Sequence, residues 1–194
     1  MVLCRMVAYH AGMVRAFVAI ELSEEIKEGL RDAQVHLGDC NARLKMVDPT
    51  LAHITLKFLG EVEPERIEQV EEALRGVRGA PFTLTVGGVE GSNRRRPRVV
   101  WCTVADGGET ARLAAAVEKA LEPLGFEREK RQFTPHITLA RVREFDPSLL
   151  EVIEDLATAK PGACEVRAII LKKSTLTRTG PIYETLMEVS LGEK

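Results

Sequence analysis

The tetrapeptide His-Ile-Thr-Leu occurs twice, at residues 53–56 and 136–139, so His53 and His136 lie 83 residues apart, one in each half of the chain. There are four histidines in all. Average composition places Ile-Thr-Leu after a given His on the order of once in several thousand cases, so chance is a poor explanation. An unperturbed imidazole titrates near pH ~6.5, so one of a pair can be neutral while the other is charged. Such a pair suits a reaction in which one proton is removed and another supplied. Opening a strained cyclic phosphodiester is one: a base activates the water and an acid protonates the departing sugar oxygen. Threonine hydroxyls and a nearby cation can hold the nonbridging oxygens where charge develops. No carboxylate cluster adjoins either motif, so this chemistry does not require a metal-activated water.

On a strand, alternate side chains point to opposite faces. Strict alternation puts His53, Thr55 and Lys57 on one face and Ile54, Leu56 and Phe58 on the other; His136 and Thr138 share a face opposite Ile137 and Leu139. A single His-x-Thr on a strand is ordinarily just half-buried strand sequence. Duplication would preserve core residues as readily as site residues, yet the shared His and Thr fall on the polar face, where packing needs neither. Two copies in matching positions therefore point to catalysis or ligand binding.

The elements around the motifs repeat with them. Residues 14–21 read as a strand, Ser23 as an N-cap with Glu24 and Glu25 at the positive end of the helix dipole, and Ile26, Leu30, Ala33 and Leu37 as the buried stripe of a helix ended by Gly38. The His53 strand follows a loop. The second half repeats this order with a strand over 98–104, a helix over 110–124 and the His136 strand. Each unit leads into a helix with a proline near its start, Pro64 and Pro147, where the missing N–H costs nothing. Strands are expected over 82–86, 166–171 and 183–189. The pattern predicts an α+β fold of two similar lobes that pack together, with residues 87–91 (Gly-Gly-Val-Glu-Gly) as the loop near their boundary.

Length and composition set the limits. The 194 residues, 45% hydrophobic, suffice for one sizeable domain or two small lobes. A net charge of −2 provides no global positive field, so any nucleic-acid contact is expected to be local. Cys4, Cys40, Cys102 and Cys164 are scattered, which argues against a zinc ribbon or disulfide framework and fits a reducing compartment. No uncharged apolar run approaches the ~20 residues of a membrane helix. Residues 1–12 read as a short extension upstream of a start at Met13, followed by one bilobal domain over 13–194. The expected location is the cytoplasm.

These features resemble the 2H phosphoesterase superfamily, named for two His-x-Thr/Ser motifs in a duplicated bilobal fold, and more narrowly its RNA 2′,3′-cyclic phosphodiesterases, historically called 2′-5′ RNA ligases. The resemblance rests on Arg15-Ala16-Phe17-Val18-Ala19-Ile20, on His53 through Gly60 (His-Ile-Thr-Leu-Lys-Phe-Leu-Gly), on Arg98-Val99-Val100-Trp101, on Pro135 through Leu139, and on Ser174 with Gly180-Pro181-Ile182-Tyr183. It implies that each lobe is an antiparallel sheet backed by helices, with the motifs lining a central cleft. It implies metal-independent, cofactor-free opening of RNA 2′,3′-cyclic phosphate ends, tRNA fragments among them, to 2′-phosphomonoesters by a monomer. Carried over, His53 and His136 are the catalytic pair, His53 as acid and His136 as base, and Thr55 and Thr138 hold the phosphate. Arg141 matches a phosphate-binding arginine of related enzymes, but alternation puts it opposite His136, and it reaches the site only if the strand ends or bulges after Leu139. Ala52 stands where many relatives carry a larger apolar residue.

Other features are weaker. Arg94, Arg95, Arg96 and Arg98 form a basic run suited either to RNA backbone or to a solvated loop, and the same two readings apply to Arg128, Lys130 and Arg131. Phe17 and Tyr183 can stack a base, with Phe17 the better core residue. His10 and His36 have no recognisable context. Two other functions use the same residues. One is ligation, joining a cyclic-phosphate end to a 5′-hydroxyl end through a 2′-5′ bond. The other is an RNA-binding module without turnover, against which the intact His and Thr of both motifs count.

Overall fold

Two antiparallel sheets carry the molecule, whose computed structural model describes residues 12–192. The first sheet has the order β3-β1-β8-β9 and the second β2-β6-β5-β4-β7. The strands are β1 (Val14–Glu21), β2 (Arg43–Met46), β3 (His53–Val62), β4 (Phe82–Gly91), β5 (Val99–Ala105), β6 (His136–Glu144), β7 (Gly162–Val166), β8 (Ala168–Leu176) and β9 (Pro181–Ser190). The helices are α1 (Glu24–Leu37), α2 (Pro64–Arg75), α3 (Glu109–Leu121) and α4 (Ser148–Asp155). Both sheets share one pattern, with β3, β1, β8 and β9 matching β6, β5, β4 and β7, and β2 added beyond β6. The architecture is the expected two-lobed α+β arrangement. Most of the expected extension over residues 1–12, with Cys4 and His10, lies outside the described residues.

Local signals explain the helices. Ser23 Oγ accepts from Ile26 N at 3.4 Å, and Ile26, Leu30, Ala33 and Leu37 form the buried stripe of α1, which stops at Gly38. Helix α2 starts on Pro64 and buries Val70 and Leu74. Helix α3 ends at Leu121, earlier than its apolar spacing implies, and Glu122–Leu124 close it as a 3-10 turn containing Pro123.

The lobes are not the two halves of the chain, and two expectations fail for that reason. Residues 87–91 are not a boundary loop: β4 continues through them and pairs with β5 and β7. The register passes from Val86 opposite Val104 to Val89 opposite Cys102, so Gly87 and Gly88 form a bulge. There the backbone of Gly88 lies so close to Ala157 that an added Cβ would sit 1.8 Å from its carbonyl oxygen, and Val89 N donates to Leu156 O at 3.0 Å. The glycines read as part of a boundary loop actually permit close packing. The strand expected over 166–171 is two strands: β7 pairs with β4 in the second sheet, and the chain crosses at Arg167 into β8, which pairs with β1 in the first. The helices are exchanged as well. Helix α1 packs on β6 and β7 and α4 on β4, whereas α2 packs on β9 and α3 on β3.

The exchange is fixed by an ion pair. Lys57 of β3 is only 7% exposed, and its Nζ donates to Glu118 Oε1 of α3 and to Glu127 O, both at 2.7 Å. Glu118→Ala would leave that ammonium without its counter-charge. It is expected to lower unfolding free energy by roughly 3 kcal/mol, and a Lys57→Met/Glu118→Met double variant to regain most of this in urea titrations, because the double change leaves no orphaned charge. Equal losses in the single and double variants would show that the pair does not join α3 to β3.

Candidate active site

Each motif strand carries a β-bulge directly after its His-x-Thr. Between β1 and β3 the pairing passes from Ala19 opposite Thr55 to Val18 opposite Lys57, leaving Leu56 unmatched. Between β5 and β6 it passes from Trp101 opposite Thr138 to Val100 opposite Ala140, leaving Leu139 unmatched. A bulge adds one residue and so inverts the alternation beyond it. Leu56 and Lys57 therefore both turn inward, and Phe58, 71% exposed, emerges on the face of His53 and Thr55. This corrects the expectation that Lys57 shares the histidine face and Phe58 the apolar one. On β6, Leu139 and Ala140 are both buried and Arg141 emerges on the face of His136 and Thr138. The condition that alternation set for Arg141 is met. Phe58 and Arg141 occupy equivalent positions, five residues after His53 and His136.

The two imidazoles are held alike. His53 Nδ1 lies 2.8 Å from Leu51 O, and His136 Nδ1 lies 2.9 Å from Thr134 O. A carbonyl can only accept, so in each ring Nδ1 carries the hydrogen and Nε2 is left for other partners. His53 is half-buried, with ring centroids 4.9 Å from Phe17 and 5.4 Å from Tyr183. His136 is exposed and lies 4.8 Å from the Trp101 ring. Thr55 and Thr138 are half-buried beside them. Strands β3 and β6 approach one another with Cα atoms within 8 Å, and residues adjoining both motifs line one cleft: Leu51 and Phe58 beside the first, Arg141 beside the second.

That cleft contains a cavity of about 680 Å³. It opens beside the motifs rather than on them: its lining includes Phe17 and Tyr183, which pack on His53, and Leu51, whose carbonyl holds it. Its lining combines apolar side chains, Phe58, Leu176, Ile182 and Tyr183 among them, with four cationic ones, Arg15, Lys45, Arg141 and Arg143. Lys45 stands opposite Arg141 in the β2–β6 register. Asp48 is the one carboxylate in the lining, and Thr50 donates to it from both hydroxyl and backbone, which keeps it below the usual carboxylate range. The cleft is thus locally positive on a chain of net charge −2. Arg128 pairs with Glu122, and neither it nor Lys130 or Arg131 lines the cavity. His36 lies on the exposed face of α1.

Sequence reasoning missed Phe58, Lys45 and Lys172. The first depends on the bulge. The second lies on β2, a four-residue edge strand with no signal beyond its alternation. Lys172 of β8 pairs with Glu21, which stands opposite His53 in the β1–β3 register. Burial pushes His53 below the ordinary imidazole range; the Leu51 carbonyl opposes this, Lys172 adds to it, and Glu21 opposes it. Among the described residues, no three His, Cys, Asp or Glu side chains are grouped to hold a metal ion, and no helix is long and apolar enough to cross a membrane.

A sequence model of the 2′-5′ RNA ligase superfamily matches residues 23–176. The RNA 2′,3′-cyclic phosphodiesterase of Archaeoglobus fulgidus is 38% identical over 174 residues, covering 89% of this chain and 98% of its own length. That of Aeropyrum pernix is 40% identical over 164 residues, covering 82% and 92%. Crystal structures agree. TT0787 of Thermus thermophilus superposes with a TM-score of 0.77 at 30% identity, over 91% of this chain and 97% of its own. LigT of Escherichia coli, complexed with 3′-AMP, gives 0.77 at 26% identity over 93% and 99%. The chain belongs to the 2H phosphoesterase superfamily, in its RNA 2′,3′-cyclic phosphodiesterase family.

The electrostatics of His53 can be read directly. In an NMR pH titration its ring is expected to change state below the ordinary value of about 6.5. Lys172→Met should move the midpoint up, since removing a neighbouring cation favours the imidazolium. A midpoint at or above the ordinary value, unmoved by the substitution, would contradict the described environment.

Proposed function

We propose that the protein hydrolyses RNA 2′,3′-cyclic phosphate ends to 2′-phosphomonoesters with His53 and His136 as an acid–base pair and no metal ion. The observation that carries this is the pair of bulged His-x-Thr strands meeting at one cleft, with Arg141 brought to the same face. The names borne by the relatives in Archaeoglobus fulgidus and Aeropyrum pernix support the same substrate.

The step is an in-line displacement. Water attacks phosphorus, a new P–O bond forms and the bond to the 3′ oxygen breaks. One imidazole Nε2 accepts the proton of the water, and the other delivers a proton to the 3′ oxygen as it leaves. His53, held toward its neutral form by burial and by Lys172, suits the role of base, and the exposed His136 then serves as acid. This reverses the assignment drawn from sequence. Solvent exchange at the two rings restores the starting protonation. Thr55 and Thr138 donate to the nonbridging oxygens, and the Arg141 guanidinium offsets the charge that grows on them. The apolar lining around Phe58 receives the terminal base. Ligation would run the same proton transfers with a 5′ hydroxyl in place of water as the nucleophile, and abundant water favours hydrolysis.

The test is incubation of chelator-treated protein with a short RNA ending in 2′,3′-cyclic phosphate, with the product identified by mass and phosphate position. The expected product is the 2′-phosphate, and His53→Ala and His136→Ala should each slow its formation by at least ~10²-fold. Activity lost in chelator and restored by one added metal would rule out the metal-free step. Near-normal turnover in either alanine variant would remove that histidine from the chemistry.

A further inference from the structure

The basic run at residues 94–98 is an exposed loop, but one of fixed shape. It connects β4 to β5, and two side chains fix it. Ser92 Oγ accepts from the backbone N–H groups of Arg98 and Val99 at 3.0 and 3.1 Å, and Asn93 Oδ1 accepts from those of Arg95 and Arg96 at 2.8 and 3.0 Å. Ser92 N closes the loop by donating to Val99 O at 2.9 Å. Held this way, the Arg96 guanidinium lies 5.7 Å from the centre of the Phe145 ring, just beyond the end of β6. Loop and strand end enclose a pocket of about 850 Å³ lined by Ser92, Asn93, Arg96, Arg98, Arg143 and Phe145 among others. Its one carboxylate, Glu144, is engaged by Arg43 of β2, so three guanidinium groups face the space with no free counter-charge in its lining.

Arg143 lines both this pocket and the catalytic cleft, so the two spaces adjoin. Arg141 and Arg143 are two residues apart on one face of β6, a step of about 6.6 Å along a strand. That is comparable to the advance from one phosphate to the next along an extended single strand of RNA. A guanidinium stacked on an aromatic ring offers its other face to a base, a surface that takes any base because every base has a π-face.

We propose that this pocket binds the penultimate nucleotide of the RNA strand, with Arg143 on the phosphodiester that links it to the terminal ribose and the Arg96–Phe145 pair stacking its base. The proposal rests on the reading of the cleft as the site of the terminal cyclic phosphate. It gives the protein a means of preferring an RNA strand over a cyclic mononucleotide, through neutralisation of backbone charge and one further stacked base.

The experiment compares kcat and KM on a 2′,3′-cyclic mononucleotide and on a tetranucleotide ending in 2′,3′-cyclic phosphate, for the wild type and for Arg96→Ala/Arg98→Ala. The wild type is expected to favour the tetranucleotide by about tenfold or more in kcat/KM, the scale of one lost base stack. The double variant should lose that preference through a raised KM, with mononucleotide turnover unchanged, which also reports that it is folded. Equal wild-type efficiency on both substrates, or an undiminished preference in the variant, would overturn the proposal. If the wild type turns over neither substrate, the reading of the cleft fails. The pocket is then judged by fluorescence anisotropy with the same tetranucleotide ending in 2′-phosphate: weaker binding by the variant supports the pocket, and equal binding overturns it.

Discussion

One extra residue in each motif strand governs the arrangement of this site. Without the bulges at Leu56 and Leu139, alternation would point Lys57 into the cleft and turn Phe58 and Arg141 away from it. With them, each strand presents His, Thr and a third side chain to the cleft and an adjacent inward pair to the core: Leu56 with Lys57, Leu139 with Ala140. The bulges also explain why the cleft is asymmetric although the strands that build it are alike. At the equivalent third position one lobe supplies an aromatic ring and the other a guanidinium, so under the proposed function a nucleotide has one favoured way round, its base toward Phe58 and its phosphate toward Arg141.

A cleft between two lobes holds catalytic groups in register only if the lobes cannot move apart freely. Here the chain crosses between them repeatedly. Helices α1 and α3 each leave one sheet and pack on the other, β4 and β8 do the same as strands, and Lys57 joins β3 to Glu118 of α3. The inward Lys57 produced by the bulge is thus also the anchor of the exchanged helix. The same turn of the chain that exposes Phe58 to the cleft secures the lobe behind it.

Much of this was legible in the sequence, and the failures have physical causes. Repetition exposed the histidines, and helical spacing gave the buried stripe of α1 residue by residue. Pairing between distant strands was not legible. A bulge is a property of hydrogen-bond register between two strands, and nothing in His-Ile-Thr-Leu-Lys-Phe announces that Lys57 will find a carboxylate inside. Gly87 and Gly88 read as part of a boundary loop because glycine punctuates regular elements, yet their role is to admit the backbone near Ala157. The crossing at Arg167 was hidden because Val166 and Ile169 through Leu171 are all buried, so the apolar residues on its two sides read as one strand. The basic run at 94–98 could not be valued without Phe145, which is distant in sequence and beneath Arg96 in space.

The claim at the centre of this account is that two strands from different halves of the chain serve one phosphate. It is tested most directly by titrating the protein with a short RNA carrying a 2′-phosphate end while following the imidazole NMR signals of His53 and His136. The account predicts that both signals shift together along one saturation curve, ending at one RNA per protein. A response at only one ring, or two curves with separate midpoints, would mean that the histidines do not share a site.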